Sequence, residues 1–376
     1  MKIGILTQPL YVNYGGILQC FALQKKLQLM GHETIILQRE FKREYTVKGA
    51  ILHYTKQIVK LLMGRKPIWR YYIAEEKRSY VAKHTSVFIE KNIKTLSRKC
   101  YTTDELKKEV EYHNLDAIIV GSDQVWRPDY SPCQLNYFLD FLSNDSKIKR
   151  ISFAASFGTD NWMFSPELTK QCGELLKKFD AVSVRELSGI DLCKKYFDVD
   201  AVQVIDPTML LEKEDYSNLV ETRKNRGNLF CYVLDRSAEK QSIITYIANK
   251  SNLTPFENMP ELEITPSNFY IDIEKCVTPS VEDWISAFME AEMVVTDSFH
   301  GCVFSIIFNK PFWVIGNKSR GMARFNTLLS QYGLQDRLIN SLENIDVNKP
   351  INWDYVNGKI KELQNIAVDF IEKNLI

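Results

Sequence analysis

The sequence predicts an α/β protein with two domains that face each other across a cleft. Three observations lead to this prediction. A chain of 376 residues is too long for one ordinary core and fits about two domains. In both halves, short apolar runs alternate with segments of helical period. Polar turns follow the apolar runs in both halves, and ligands bind where such turns gather at the carboxyl ends of parallel strands.

The first predicted unit is a strand, a glycine loop, a helix and a second strand. The strand covers residues 2–7, and the loop ends at Gly15 and Gly16. Apolar residues recur at helical spacing over 17–30, and the next strand covers 33–37. The loop lies at the ligand-binding edge of such a βαβ unit, although two glycines also serve simple tight turns.

Residues 40–99 depart from the alternation of predicted strands and helices. They form a basic segment, with 15 Lys and Arg against 5 Asp and Glu. An apolar face recurs between Ile51 and Met63, and aromatic residues follow between Trp69 and Tyr80. We interpret the segment as a basic helical insertion that packs on its own domain and leaves its basic face in solvent. The alternative is a peripheral contact in which a basic amphipathic helix lies on an anionic membrane surface.

A second polar turn, residues 121–128, follows the predicted strand 117–120. It brings together Ser122, Asp123 and Trp126, which supply a hydroxyl, an acid and an aromatic face. Trp126 can stack on a sugar ring, and Asp123 can accept hydrogen bonds from sugar hydroxyls. The alternative is a capped turn whose tryptophan packs in the core.

Arg185 follows the predicted strand 181–184. An arginine at the end of a strand can bind a carboxylate or a phosphate through its planar fork. The alternative, which is more frequent for an isolated arginine, is a structural salt bridge with Glu186 or another acid.

The domain boundary is predicted in residues 212–228, a charged segment without clear periodicity. We therefore expect an N-terminal domain at 1–215 and a C-terminal domain at 228–345. A long amphipathic helix at 353–376 ends the chain.

Residues 293–308 organise the second half as a buried strand, a polar turn and a buried helix. Asp297 or Ser298 can cap this helix, and its first backbone N–H groups favour an anion. His300 falls in the first helical turn, where an imidazole can exchange protons near neutral pH or serve only in packing. A basic loop after the next strand contains Lys318, Arg320 and Arg324.

Composition excludes several classes of protein. The net charge of +1 argues against a general polyanion binder. The eight cysteines form no CxxC pair, which argues against a zinc ribbon or an iron–sulfur cluster, and no His/Asp/Glu cluster at ligand spacing predicts another metal. The apolar run at residues 3–6 is too short to predict a signal peptide, and no run of about twenty apolar residues predicts a membrane span. We expect a cytoplasmic protein, with the inner face of the membrane as the alternative location.

Five short segments occur in order along the chain: Asn-Tyr-Gly-Gly at 13–16, Gly-Ser-Asp-Gln-Val-Trp at 121–126, Val-Ser-Val-Arg-Glu at 182–186, Asp-Pro-Thr at 206–208 and Thr-Asp-Ser-Phe-His-Gly at 296–301. This ordered set resembles the polysaccharide pyruvyl transferase family. The resemblance implies two Rossmann-like domains similar to those of GT-B glycosyltransferases. It also implies transfer of pyruvate from phosphoenolpyruvate to two hydroxyls of one sugar, which gives a cyclic ketal and phosphate.

The resemblance further implies a polysaccharide, or its lipid-linked precursor in capsule or exopolysaccharide assembly, as the acceptor. Phosphoenolpyruvate is then the donor substrate, and no cofactor is needed. We assign His300 as general acid/base and Arg185 as the clamp for the donor's anionic groups. The predicted substrate contacts are Asn13, Gly15, Gly16, Ser122, Asp123, Trp126, Asp297, Ser298, Lys318, Arg320 and Arg324.

Two other functions fit the same fold. A GT-B glycosyltransferase would use a nucleotide-sugar donor, and its basic loop would hold the diphosphate. A carbohydrate-binding or assembly protein would keep the fold without the chemistry. Nucleic-acid binding through the basic segment is not expected, because the rest of the chain balances its charge.

Overall fold

A computed structural model of the chain describes residues 1–42, 47–63, 67, 74–128, 130–222, 224–316, 321–339 and 345–375. Within these ranges the chain forms two parallel sheets, each covered by helices, so the predicted α/β class is confirmed. The strands of the first sheet are β1 Lys2–Leu6, β2 Glu33–Ile36, β3 Ala117–Val120, β4 Lys149–Ala155, β5 Ala181–Val184 and β6 Val202–Gln203. Those of the second are β7 Leu229–Tyr232, β8 Pro255–Phe256, β9 Met293–Thr296, β10 Phe312–Ile315 and β11 Leu338–Ile339.

The first sheet has the strand order β2-β1-β3-β4-β5-β6, and the second has the order β11-β10-β9-β7-β8. All strand pairs are parallel, and Ile5 of β1 lies opposite Ile36 of β2 and Ile119 of β3. These apolar runs are buried on both faces, as parallel strands between helical layers must be. Each sheet therefore gathers its polar turns at one edge.

The helices cover both faces of each sheet. Those that belong to the first half are α1 Tyr14–Leu29, α2 Val47–Leu62, α3 Glu75–Val81, α4 Lys83–Asn92, α5 Thr103–His113, α6 Pro166–Leu176, α7 Leu187–Leu192 and α8 Lys213–Ser217. Those of the second half are α9 Ala238–Ser251, α10 Pro266–Ile271, α11 Val281–Glu290, α12 Phe299–Ile307, α13 Ala323–Gln331 and α14 Trp353–Leu375.

The two halves share an apolar core as well as a cleft. Tyr216 of α8 packs edge-on against Phe304 of α12, with ring centroids 4.9 Å apart. The final helix, α14, returns to the first half, where Gln364 donates a hydrogen bond of 2.9 Å to the carbonyl of Met209. These contacts hold the carboxyl edges of the two sheets opposite each other. The exact domain boundaries, near 215 and 228, stay a prediction.

The described residues of the basic segment include three helices, but the first of them does not pack as predicted. Helix α4 is seated on the first domain, where Phe88 contacts Phe21 with ring centroids 6.0 Å apart. Helix α2 buries only Ala50 and Gln57 and leaves most of its apolar residues exposed. The expectation that its apolar face packs on the domain is therefore wrong for α2. Trp69 and its aromatic neighbours lie outside the described residues.

No helix in the described ranges combines the length and the apolar character that a membrane crossing requires.

Candidate active site

A cavity of about 540 Å³ lies between the two sheets and receives residues from both. From the first half come the start of α1 and the turn after β3, including Asn13, Gly15 and Asp123. From the second half come the turns after β7 and β9 and the start of α13, including His300 and Arg324. The polar turns predicted at the two sheet edges thus meet in one place.

The turn that carries His300 is fixed by hydrogen bonds within the segment 296–301. The Ser298 hydroxyl accepts from the Gly301 N–H at 3.4 Å and caps α12. The Ser298 N–H donates to the Thr296 hydroxyl at 3.0 Å. Any side chain at Gly301 would collide with that hydroxyl, because an added Cβ would lie 2.2 Å from it. Glycine therefore lets the strand and the helix join tightly enough to aim the His300 ring into the cleft.

The imidazole of His300 is held between the two domains. Its Nε2 lies 3.6 Å from Oδ2 of Asp206, and its side chain is 8% exposed. The other face of the ring lies against the backbone of Gly15, where an added Cβ would be 2.0 Å from Nδ1. Nε2 has no hydrogen-bond partner among the described residues. A buried imidazole that lines the cavity and has a carboxylate beside its Nε2 can exchange protons with a ligand.

We predict that Gly15→Ala lowers kcat by about 100-fold, because the added methyl group displaces the imidazole from its position. Gly358→Ala is the matched control, since Gly358 also lies within a helix and an added Cβ there meets nothing within 4 Å. The control should keep full activity and gain about 0.5–1 kcal/mol in free energy of unfolding. Equal activity in both variants would show that Gly15 does not hold the ring.

Asp206 is the centre of the polar network under the cavity, and sequence reasoning did not assign it a role. Its Oδ2 accepts from Nη1 of Arg185 at 2.7 Å and from the Ser122 hydroxyl at 3.1 Å. Its Oδ1 accepts from the Thr208 N–H at 3.0 Å and the Thr208 hydroxyl at 2.7 Å. Burial raises the pKa of this carboxyl, but His300 and Arg185 outweigh burial and hold the pKa well below its usual range. The available signal was an acid in the Asp-Pro-Thr turn at the same sheet edge as Asp123 and Arg185.

Arg185 does not reach the main cavity as a free anion clamp, which corrects its predicted role. Its guanidinium is 3% exposed and pairs with Asp206 at 2.7 Å. Asp123 and Glu186 lie 3.7 and 3.9 Å from the same guanidinium. The three carboxylates and the ring of Phe299, 4.3 Å away, surround it. The salt-bridge alternative is therefore the better description: Arg185 orients Asp206, which in turn faces His300.

Arg324 is the arginine that lines the cavity. It lies in the first turn of α13 and is 6% exposed, with its guanidinium 5.8 Å from the Phe299 ring. Burial, and then the nearby charge of Arg185, lower the pKa of Arg324 to about 10. An anion in the cavity would stabilise this buried charge. Lys318 and Arg320, the other predicted basic contacts, lie outside the described residues.

The sequence profile of the family described as polysaccharide pyruvyl transferase matches residues 13–319, most of the chain. The chain belongs to this family. The predicted resemblance is thereby confirmed, and this pyruvyl transferase family member is a transferase. No match was found among individually curated protein sequences.

Solved structures share the two-domain architecture of this pyruvyl transferase family member. Methanocaldococcus jannaschii UDP-GlcNAc 2-epimerase, in complex with UDP-GlcNAc and UDP, has a TM-score of 0.50 and 13% identity over 97% of this chain and 98% of that chain. Arabidopsis thaliana UGT89C1, complexed with UDP-L-rhamnose, has a TM-score of 0.50 and 9% identity over 99% of this chain and 97% of that chain. At such identities the similarity concerns the fold alone, and it confirms the predicted GT-B-like class.

On the first-domain side of the transferase cavity, Asn13 and Asp123 act as a pair. The Asn13 amide donates to Oδ2 of Asp123 at 3.2 Å, and both residues line the cavity. Gly16 leaves room for this pair, because an added Cβ would lie 3.1 Å from the Asn13 amide nitrogen. Ser122 is fully buried and donates to Asp206, so it supports the network instead of contacting the substrate as predicted.

Trp126 is not a sugar contact, which corrects a second prediction. It is 0% exposed, its Nε1–H donates to the carbonyl of Tyr137 at 3.0 Å, and its ring stacks on Phe138 at 5.2 Å. The tryptophan therefore packs in the core behind the turn, as the alternative interpretation holds. Two exposed tyrosines, Tyr101 and Tyr130, line a neighbouring cavity instead.

Asp297 and Ser298 both line the cavity, and Asp297 also anchors a neighbouring loop. Its carboxylate accepts from the N–H of Leu234 at 2.6 Å and from Nζ of Lys240 at 2.5 Å. The side chain thus fixes the turn after β7. Within the described ranges, no group of three His, Cys, Asp or Glu side chains is arranged to hold a metal ion. The absence of a cofactor stays a prediction.

Proposed function

We propose that this enzyme transfers the pyruvyl group of phosphoenolpyruvate to two hydroxyls of one sugar in a polysaccharide or its lipid-linked precursor. The products are a cyclic pyruvate ketal and inorganic phosphate. One observation carries the proposal: a cavity in a polysaccharide pyruvyl transferase fold is lined by both an imidazole and a buried guanidinium, His300 and Arg324. These are the groups that a proton-transfer reaction of an anionic donor requires.

The donor and the two sugar hydroxyls supply every atom and proton that the reaction needs. The methylene carbon of the donor gains a proton, and the carbon that bears the phosphate becomes open to attack by the first sugar hydroxyl. The phosphate then leaves, and the second hydroxyl closes the ketal. The two sugar hydroxyls release two protons. One balances the proton that the methylene carbon gains as it becomes a methyl group, and the other balances the proton that the leaving phosphate takes up. His300 exchanges these protons, and Asp206, which stays ionised, stabilises the positive charge that develops on the ring.

The anionic groups of the donor are assigned to the second-domain side of the cavity. Arg324 supplies a fixed positive charge there. The capped start of α12 adds backbone N–H groups that favour an anion. Asp297 is neutralised by Lys240 and so does not repel the donor.

The acceptor is assigned to a second cavity, of about 700 Å³, which adjoins the first through Asn13, Asp123 and Gln124. Tyr101 and Tyr130 line it and are 42% and 43% exposed, which leaves ring surface for a sugar. Hydroxyls bound there would reach His300 through the shared wall of the two cavities.

The test of donor identity is thermal unfolding with phosphoenolpyruvate, inorganic phosphate, UDP and CMP at matched concentrations. We expect phosphoenolpyruvate to stabilise the protein more than phosphate does and the nucleotides to have no effect. Arg324→Ala should weaken phosphoenolpyruvate binding by about tenfold or more, because a charge-assisted contact is lost. Arg324→Lys should restore part of it. Arg98→Ala, at an exposed arginine that lines neither cavity, should leave phosphoenolpyruvate binding unchanged, although it removes the partner of the buried Glu109 and lowers the baseline stability.

Stabilisation by UDP or CMP without phosphoenolpyruvate would contradict the proposal. It would support the alternative, a GT-B glycosyltransferase that uses a nucleotide-sugar donor.

A further inference from the structure

Helix α2 presents an apolar stripe to solvent. The stripe consists of Val47, Ile51, Tyr54, Ile58, Leu61 and Leu62, whose exposed fractions run from 41% to 81%. Their spacing of three and four residues places them along one side of the helix. The residues that α2 buries, Ala50 and Gln57, lie on another side.

This orientation is the reverse of what an amphipathic helix does in a water-soluble domain, where the apolar stripe faces the core. A contiguous exposed apolar surface of this kind marks a contact with a partner or a membrane. Only Ala50 and Gln57 of α2 are buried, so the apolar stripe is accessible to a flat surface.

The charge of the segment indicates what that surface is. From residue 45 to residue 74 the sequence contains six Lys and Arg and no Asp or Glu. Three of these cations, Lys48, Lys56 and Lys60, lie on α2 itself. An apolar stripe in a segment whose only charged side chains are cations matches an anionic lipid surface, since the stripe enters the acyl boundary while the positive charge of the segment is attracted to the headgroups.

The segment also borders the second cavity. Phe41 and Lys42, just before α2, and Glu75 and Arg78, after it, line that cavity of about 700 Å³. We infer that α2 docks on an anionic membrane surface through its apolar stripe and holds the mouth of this cavity at the lipid. The inferred lipid contact depends only on the features of α2. The further idea that this contact presents a lipid-linked acceptor to the cavity rests on the proposed function.

The test is flotation of the purified protein with vesicles of phosphatidylcholine alone or with about 30% phosphatidylglycerol. We expect binding to the anionic vesicles that weakens as salt is raised. Ile58→Glu should reduce binding by about tenfold or more, since a charge replaces an inserted apolar side chain. Ile366→Glu on α14 is the matched control, because Ile58 and Ile366 are 49% and 48% exposed, and it should bind as the wild type does.

Three results would overturn the inference. The first is no binding of the wild-type protein to anionic vesicles at low salt. The second is a loss of binding in Ile366→Glu as large as that in Ile58→Glu. The third is a wild-type dimer in light scattering that Ile58→Glu converts to a monomer while vesicle binding persists, since the stripe would then join two copies of the chain. Phosphoenolpyruvate-dependent stabilisation of Ile58→Glu reports separately on the proposed function.

Discussion

Replacing His300 with alanine should lower kcat by about 100- to 10,000-fold, the range that general acid/base catalysis contributes. The imidazole lines the cavity between the domains, and its Nε2 lies 3.6 Å from a carboxylate that stays ionised. No other histidine is among the described residues that line this cavity. Phosphoenolpyruvate binding should change much less than kcat, because Arg324 and the start of α12 remain.

His84→Ala is the matched control, since His84 is exposed on α4. It should keep wild-type turnover and stability. If His300→Ala kept near wild-type turnover as well, the proton-transfer role assigned to the imidazole would be wrong.

Asp206→Asn should have the second large effect, because it removes the charge that faces both Arg185 and His300. Arg185 is 3% exposed, and its closest carboxylate would be lost, leaving Asp123 and Glu186 at 3.7 and 3.9 Å. Breaking a buried pair in this way should lower the free energy of unfolding by about 3 kcal/mol. kcat should also fall, since positive charge on the His300 ring would lose its stabilising partner, while the affinity for phosphoenolpyruvate should persist.

The control is Asp198→Asn, an exposed aspartate whose ion pairs with Lys177 and Lys194 should contribute less than about 1 kcal/mol. Urea unfolding at several pH values adds an independent readout. Because the folded pKa of Asp206 is lowered, its contribution is present above the unfolded pKa of about 4 and is lost as the pH falls further. Asp206→Asn should therefore lose less stability in acid than the wild type. Equal acid sensitivity would show that the ionised carboxylate does not stabilise the fold.

The architecture follows from local patterns that are strong in this chain. Buried apolar runs such as Met293–Thr296 and Ala117–Val120 predict parallel strands, and the polar turns after them predict which edge carries the site. The position of His300 was predictable because it lies two residues after the capping Ser298, which places it in the first turn of α12. The polar turns that follow these two strands lie in the same cleft because the carboxyl edges of the two parallel sheets face each other.

Side-chain partners across the chain were harder to predict. Arg185 and Asp206 are 21 residues apart, and their pairing depends on the register of β5 and β6. Trp126 follows an apolar strand and a polar turn, and the turn rotates it inward onto Phe138 instead of outward onto a sugar. Helix α2 has a clear apolar face, but periodicity alone does not say whether that face meets a core or a membrane.

Pyruvyl transfer can be measured directly with phosphoenolpyruvate labelled with ¹⁴C in the pyruvyl group and ³²P in the phosphate. The labelled donor would be incubated with the lipid-linked saccharides of the cells that make this protein, using wild type, His84→Ala and His300→Ala. We expect wild type and His84→Ala to attach ¹⁴C to saccharide and to release equimolar ³²P phosphate, whereas His300→Ala should do neither at a comparable rate. Mild acid should then free the ¹⁴C as pyruvate, as expected of a ketal. Transfer of sugar from a nucleotide donor to the same acceptors, with no ¹⁴C transfer, would show that the enzyme is a glycosyltransferase and not a pyruvyl transferase.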